Sequence, residues 1–329
     1  MLNPRSRRRR IPYVLAALTL SVGLLSAGCG APANPSANGA GSSSGMGSMP
    51  GMTSMKPLNQ KPRPMTVVRH GSSVTIQMYA EETKVPIAPG VTFPAWTFDG
   101  TAPGPVIQLR QGDHVTLTLH NLDPRMEHAI DLHAALVPPN LNFTPVLPGH
   151  SKTIHFVARV AGVFMYHCEA SPMALHIAQG MYGAVVVTPP GQTPPLYTLV
   201  QSEFYPPNNL NAVLNDPPRY VVFNGYANRY MAAPLAAPLN KPFTVAVVDA
   251  GPNESSAFHV VGSILRDVSD SGSPLNNLYN VQTYEIPPGG AALIHLEFTQ
   301  AGQYSFVSHD MSQMAKGAGG MFVVSSHSK

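Results

Sequence analysis

The chain has 329 residues, a formal net charge of +3 and only 11% charged residues. The basic excess lies at the extreme N-terminus, where Arg5 and residues 7–10 are all arginine. A folded surface that binds nucleic acid is therefore not expected, because such a surface needs Lys and Arg clustered on a domain.

Residues 1–29 have the pattern of an export signal. The arginines precede an apolar run from Ile11 to about Leu25, and small residues lead to Cys29 in "SAGC". These are the positive, apolar and cleavage regions of a secretory signal, and the run is marginal in length for spanning a bilayer. We predict lipoprotein processing with Cys29 acylated. A plain cleaved signal and an uncleaved anchor are the alternatives, and "SRRRR" leaves twin-arginine export open beside the Sec route.

Residues 30–60 are rich in Gly, Ser, Ala, Pro and Met, a composition that cannot bury a core. They predict a tether that holds an exported domain at the cell surface or in the periplasm, with the lipid as its only membrane contact. Met46, Met49, Met52 and Met55 recur at every third position. In a polyproline conformation they would share one side, so the tether is either a plain linker or a loose collector of Cu(I).

The rest of the chain has the texture of β-structure. Short runs rich in Val, Ile, Thr and Tyr are bounded by Pro, Gly and Asn, as in "HVTLTLHN" (His114–Asn121) and "FTVAVVDA" (Phe243–Ala250). No long segment has a helical period, and "NLNAVLN" (residues 209–215) is the best helical candidate.

A segment of the first half recurs in the second half. "LPGHSKTIHFVARVAGVFMYHC" (Leu147–Cys168) aligns with "PPGGAALIHLEFTQAGQYSFVS" (Pro287–Ser308) at a constant offset of 140 residues. Further on, "GMYGAVVV" (residues 180–187) resembles "GAGGMFVV" (residues 317–324) with three residues lost. We predict an all-β chain of two tandem β-sandwich domains, residues 61–190 and 191–329, divided near the Pro-rich "TPPGQTPPL".

Strand parity sorts the potential metal ligands of the first domain. If "MEHAIDLHAA", which begins at residue 126, is a strand, then Asp131 and His133 share one face and His128 points to the other. In "FMYHC", His167 and Cys168 likewise point to opposite faces. Two half-sites follow, one inside the sandwich with His128 and Cys168, and one outside it with His133, His167 and Asp131.

The inner half-site is completed by the segment "YHCEASPMALHIAQGM". Cys168, His176 and Met181 lie at the two ends of one loop, and His128 arrives from an earlier strand. Two imidazoles, one thiolate and a weak axial thioether are the ligands of a blue-copper electron-transfer centre. The pattern therefore explains an unpaired cysteine in an exported chain.

The outer half-site has two histidines and needs a third ligand. In the repeat, Val307 and Ser308 replace His167 and Cys168, but His309 follows one position later. A neighbouring subunit of a ring-shaped oligomer could supply His309, and three imidazoles leave an open position for substrate. One peptide bond joins His167 to Cys168, so the two metals would be coupled for one-electron redox chemistry.

These residues resemble the copper-containing nitrite reductases, within the multicopper oxidase and cupredoxin superfamily, over about residues 62–324. The motifs that carry the resemblance are "DGTAPGPVIQLRQGD" (Asp99–Asp113), "EHAIDLHAA", "FMYHC", "HIAQGMYG" and "FHVVG" (Phe258–Gly262).

The resemblance implies cupredoxin-like Greek-key domains, a homotrimer and one copper of each type per subunit. It implies type 1 copper at His128, Cys168, His176 and Met181, and type 2 copper at His133, His167 and, across the subunit interface, His309.

It also implies reduction of nitrite to nitric oxide, which consumes one electron and two protons. Asp131 and His259 match the carboxylate and imidazole beside the open copper, and both are suitable proton sources. Val261 stands where a bulky aliphatic residue shapes the substrate pocket. The electron would come from a small donor such as a cytochrome c or a cupredoxin, and would pass from type 1 copper through Cys168 and His167 to type 2 copper.

The loop from Cys168 to His176 departs from the best-known members of the family. It is one residue shorter, and Leu175 stands where a Trp is common. Since this loop borders the donor's docking surface, the identity of the donor is not implied.

Three other functions compete with this interpretation. An O2-reducing oxidase of the laccase type needs His-x-His pairs, one of which places a His on each side of the thiolate Cys. The sequence has no such pair, and Glu169 follows Cys168. A related copper enzyme could act on another small nitrogen oxide. A non-catalytic copper protein would leave His133, His167 and His309 unexplained.

Overall fold

The computed structural model describes residues 65–326, which belong to one compact unit. The predicted export signal, Cys29 and the Met-containing tether lie outside the described residues. Within residues 65–326, no helix combines the length and the hydrophobicity needed to cross a bilayer.

The first half of the described chain forms two sheets. One has the strand order β1-β2-β5-β7, with β3 also paired to β2, and the other has the order β4-β9-β8-β6. The elements are β1 Thr66–His70, β2 Ser73–Ala88, β3 Val91–Phe98, β4 Ile107–Arg110, β5 His114–Asn121, β6 Asp131–Leu132, α1 Pro139–Asn142, β7 Ser151–Val157, β8 Gly162–His167, α2 Met173–Ala178 and β9 Tyr182–Thr188.

The second half also forms two sheets. Their strand orders are β11-β10-β13-β18-β15-β16 and β12-β20-β19-β14-β17. The elements are β10 Tyr197–Phe204, α3 Leu210–Asn215, β11 Tyr220–Phe223, α4 Arg229–Ala232, β12 Ala233–Ala237, β13 Phe243–Asp249, β14 Ser256–Val260, β15 Leu265–Asp270, β16 Asn277–Val281, β17 Thr283–Ile286, β18 Ala291–Leu296, β19 Gly302–Ser308, α5 Met311–Ala315 and β20 Gly319–Val324.

Alternation along the strands builds a separate core in each half. In β5, Val115, Leu117 and Leu119 are buried while the residues between them face outward. In β18, Ile294 and Leu296 are buried in the same way. The fold is thus two β-sandwiches in tandem, as predicted, and we call them the first and second domains. The limits 61–190 and 191–329 stay a prediction, because both ranges include residues outside those described.

The two domains pack through β8 and β9 of the first and β10 and β13 of the second. Val163, Met165 and Tyr182 are buried in one apolar cluster with Val200 and Val248. In addition, the Tyr182 hydroxyl donates a hydrogen bond of 2.6 Å to Ser202 Oγ across this contact. The sheet that ends in His167 is therefore buried on both of its faces.

The predicted repeat is visible in the backbone. β7 and β8 begin at residues 151 and 162, and β18 and β19 begin at residues 291 and 302, which keeps the offset of 140. The loop before the last strand is three residues shorter in the second domain. Gly317 at the end of this loop has φ 118°, and its counterpart Gly180 in the first domain has φ 117°. This left-handed region favours glycine, so both copies keep the same turn before their last strand.

Two local predictions differ in outcome. "NLNAVLN" forms α3, whose first turn is capped by the Asn209 side chain accepting from the Ala212 amide at 3.0 Å. A full strand over "MEHAIDLHAA" is wrong, because only β6 (Asp131–Leu132) pairs regularly. Side-chain bonds hold the segment before β6 instead, since the amide of Asn121 donates to the carbonyls of Met126 and Val146, each at 2.8 Å.

Candidate metal centres

Three metal-ligating side chains meet in the core of the first domain. Cys168 follows β8, His176 lies on α2, and His128 is held by a bridge to Val146. Cys168 Sγ lies 3.3 Å from His176 Nδ1 and 4.0 Å from His128 Nδ1. All three side chains are buried, and their ligand atoms lie within 4.8 Å of one another. Although the strand prediction failed, the predicted facing of His128 towards Cys168 is what the structure shows.

A buried carboxylate orients His128. Asp123 Oδ2 lies 3.1 Å from His128 Nε2, so this nitrogen donates and leaves the Nδ1 lone pair facing Cys168. Asp123 is itself fixed, because Oδ1 accepts from the amides of Arg125 (2.8 Å) and Met126 (3.1 Å). Burial would raise the pKa of Asp123, but these hydrogen bonds and that of His128 hold it below its usual value. Sequence reasoning missed Asp123; an Asp five residues before a ligating His was the only signal.

The ionisation of the cluster suits a metal cation. Burial lowers the pKa of His128 despite Asp123, and burial with the neighbouring His128 lowers the pKa of His176 to about 4. Both imidazoles are therefore neutral. Burial raises the pKa of Cys168 to about 12, although the Ala129 amide donates to Sγ at 3.3 Å. The thiol thus stays protonated unless a bound cation compensates the charge of the thiolate.

Met181 lies beside this cluster. The Cys168 amide donates to the Met181 carbonyl at 3.1 Å, and the Met181 amide donates to the His176 carbonyl at 3.2 Å. Met181 is fully buried in the same apolar core as Cys168. The structure therefore brings together a thiol, two neutral imidazoles and a thioether, a donor set that fits copper.

A second group lies at the end of β6 and β8. Pairing of these strands puts Asp131 opposite His167, and His133 follows two residues later. The two Nε2 atoms of His133 and His167 are 3.2 Å apart, and Asp131 Oδ2 is 3.8 Å from His167 Nε2. His167 Nδ1 is 3.1 Å from the Cys168 carbonyl, which accepts its proton and leaves Nε2 free. Although His133 is exposed at the surface of the single chain, desolvation of its ring and the neighbouring His167 lower its pKa, which favours the neutral form that binds a metal.

Two histidines of the second domain, His259 and His309, form a third group. The rings of His259 and His309 are perpendicular with centroids 5.2 Å apart. His259 Nδ1 donates to the Gln282 carbonyl at 2.6 Å, and Val261, the residue after β14, is 50% exposed. Among the described residues, the metal-binding group around His167 contains Asp131 and His133 but not His309. Within the single chain, the three predicted type 2 ligands are therefore not together.

Sequence reasoning also missed Trp96, on β3. Its ring lies against both imidazoles of the buried cluster, with centroids 4.7 Å from His176 and 6.0 Å from His128. Nothing in the local sequence links Trp96 to residues 32 and 80 positions away.

Comparisons with known proteins agree with this geometry. The profile of the multicopper oxidase family matches residues 79–192. The copper-containing nitrite reductase of Neisseria meningitidis serogroup A is 33% identical over 270 residues, which cover 77% of this chain and 70% of that protein. That of Alcaligenes xylosoxydans is 30% identical over 272 residues, covering 72% of this chain and 82% of the relative.

Solved structures give the same result. The copper nitrite reductase from Nitrosomonas europaea superimposes with a TM-score of 0.75 at 34% identity, covering 78% of this chain and 95% of that chain. A laccase from Botrytis aclada, at 18% identity and a TM-score of 0.65, shares the fold alone. The two sandwiches are cupredoxin-like, copper is the cofactor, and the chain is an oxidoreductase that belongs to the copper-containing nitrite reductases.

Proposed function

We propose that the chain reduces nitrite to nitric oxide with one electron and two protons, releasing water. The observation that carries this proposal is the adjacency of His167 and Cys168. Cys168 belongs to the buried ligand set of an electron-transfer copper, and His167 belongs to the histidine pair with His133. The relatives named as copper-containing nitrite reductases support the choice of nitrite.

The two ligand sets have different tasks. His128, Cys168, His176 and Met181 would hold a type 1 copper, and His133 and His167 would hold a type 2 copper. Copper supplies reversible one-electron redox chemistry and, at the open site, a Lewis acid for nitrite. The Cys168–His167 peptide link would be the electron's covalent route from the first set to the second.

Asp131 is the proposed proton donor on the first domain. Its Oδ2 lies 3.8 Å from His167 Nε2, so it would stand next to a substrate bound beside that nitrogen. Its side chain is 24% exposed, which lets water resupply the proton. His259 would supply the second proton, and Val261 would limit the pocket on that side.

His309 is the proposed third ligand, supplied by a neighbouring subunit of a homotrimer. His133 and His309 are both exposed in the single chain, and each belongs to a different histidine pair. Bringing the two pairs together across an interface would complete three imidazoles around an open position.

We further propose export of the chain to the cell surface or periplasm by way of residues 1–29, with Cys29 as the lipid anchor. The electron donor there would be a small redox protein such as a cytochrome c or a cupredoxin.

The test is nitric oxide release from nitrite without oxygen, measured with an electrode on copper-loaded protein and an artificial reductant. We expect steady turnover that falls at least 100-fold in Asp131→Asn, the lower end of the usual contribution of a positioned acid. His155→Ala, an exposed histidine outside all three groups, is the control and should keep full turnover. Copper-loaded protein that is reduced but releases no nitric oxide would contradict the proposal.

A further inference from the structure

All four proposed ligands of the buried copper are shut off from solvent. His128, Cys168, His176 and Met181 are each 0% exposed. A protein donor therefore cannot touch any of these ligands, and the electron has to cross at least one further side chain.

Trp96 is the side chain that spans this gap. Its indole packs on His176 at 4.7 Å and is also near His128 at 6.0 Å. Trp96 is 6% exposed, so a small part of the residue reaches the surface. There it lines a depression of about 280 Å³ together with Glu82, Lys84, Pro94, Arg125 and Asn208, among others.

The position of the indole is fixed on both sides. Trp96 Nε1 donates to Glu82 Oε1 at 3.3 Å, and Glu82 Oε2 accepts a hydrogen bond from Arg125. The Trp96 amide donates to the Gln179 carbonyl at 3.0 Å, which connects β3 to the loop between His176 and Met181. A ring held in this way keeps one contact with His176, whereas a surface side chain would sample many.

Leu175 offers the competing route. It is half-buried on α2, next to His176, and packs against the same core as Cys168. Leu175 is aliphatic, and its contacts also include the second-domain cluster of Tyr205 and Val213. Leu175 is the more exposed of the two, but Trp96 alone makes a ring contact to His176.

We infer that Trp96 is the positioning residue through which a one-electron protein donor reduces the buried copper, an inference that rests on the proposed function. The donor loses one electron and copper(II) becomes copper(I). No bond is made or broken, no proton moves, and Trp96 itself is not oxidised.

The test is stopped-flow reduction of the copper-loaded full chain by a reduced cytochrome c, followed at the type 1 absorption band. Trp96→Leu should slow this reduction at least tenfold, which corresponds to a barrier increase of about 1.4 kcal/mol. Trp96→Phe should slow it less, and the midpoint potential of the site should stay unchanged in both. The matched controls are Leu175→Ala, on the competing route, and Phe93→Leu, on the same strand but packed against Phe204.

Wild-type rates in copper-loaded Trp96→Leu and Trp96→Phe overturn the inference, as does a larger loss in Leu175→Ala. If Trp96→Leu takes up no copper, Trp96→Phe decides: slowed reduction supports the inference and an unchanged rate overturns it. A wild-type protein that releases no nitric oxide refutes the proposed function alone, since the donor rate is measured without nitrite.

Fluorescence gives a readout that does not depend on activity. Trp96 is the only Trp of the sequence, so indole emission of the apoprotein reports this one site. Loading with copper(II) should quench more than half of that emission as the type 1 band appears. Full emission from a coloured protein would place the indole away from the copper and overturn the inference.

Discussion

The buried pocket around Cys168 in the first domain and the equivalent pocket around Ser308 in the second domain have similar backbone geometry. Their side chains differ in chemistry. In the first, the Ala129 amide donates to Cys168 Sγ at 3.3 Å, and in the second, the Ala257 amide donates to Ser308 Oγ at 3.1 Å. The Ser308 hydroxyl thus occupies the position equivalent to the Cys168 thiol and accepts the equivalent backbone hydrogen bond.

The other ligands have been replaced by a closed network. Ser308 Oγ donates to Gln313 Oε1 at 2.7 Å, Gln201 Nε2 donates to the same oxygen at 3.2 Å, and Ser256 Oγ donates to Gln201 Oε1 at 2.7 Å. By contrast, His176 Nε2 is buried without a hydrogen-bond partner among the described residues. The second pocket satisfies its own polar groups, while in the first the Nδ1 atoms of His128 and His176 face Cys168 Sγ, where a cation would be their common partner.

The largest effect is expected from copying the second pocket into the first. Cys168→Ser should abolish the type 1 absorption band and bring donor-driven turnover below detection, because the thiolate ligand is lost. Visible absorption and nitric oxide release measure the two effects. The reciprocal Ser308→Cys should gain no band, since Ser256 and Gln313 are not imidazoles. A new band in Ser308→Cys would mean that the second pocket can still form a type 1 site.

A smaller effect is expected from the carboxylate that orients His128. Asp123→Asn should weaken copper binding about 10- to 100-fold, the usual range for a residue that positions a ligand, while the type 1 band persists in excess copper. Competition with a chelator measures the affinity. Unchanged affinity would mean that burial alone orients His128.

The network of the second pocket should matter for stability and not for colour. Gln313→Ala leaves Ser308 and Gln201 without their shared acceptor, and should lower the free energy of unfolding by about 2 kcal/mol. Urea unfolding measures this loss. A changed type 1 spectrum in Gln313→Ala would show that the two pockets are coupled and would contradict a purely structural role of this network.

The smallest effect belongs to a pair outside both pockets. Asp113 is buried and accepts from Arg69 Nη1 at 2.6 Å and from the Arg110 amide at 2.7 Å. Burial would raise the pKa of Asp113, but these bonds hold it below its usual value. A lowered folded-state pKa stabilises the fold above about pH 4, and the contribution is lost as the pH falls through that pKa.

Asp113→Asn should therefore cost about 1.5 kcal/mol at pH 7, and this cost should shrink as the pH falls below about 4. Thermal unfolding of both proteins across this range measures the difference. A difference that stays constant with pH would mean that the charge of Asp113 contributes nothing.

Local pattern and internal repetition were enough to predict the sandwiches and the grouping of His128 with Cys168. The facing of His128 was predicted from a strand over residues 126–135 that forms only at β6, and it holds because Asn121 and the Val146 bridge fix the same direction. Asp123, Trp96 and the network around Gln313 could not be predicted, since their contacts depend on distant strands that only tertiary packing brings together.

We propose that one copper site lies within a subunit and the other between subunits. The most direct test is to co-express His133→Ala with His309→Ala and measure nitric oxide release from nitrite. Each variant alone should keep the type 1 band and release no nitric oxide. Mixed assemblies should regain activity, with about a quarter of the interfaces intact under random association. No recovery in mixed assemblies that retain the band would contradict the shared site.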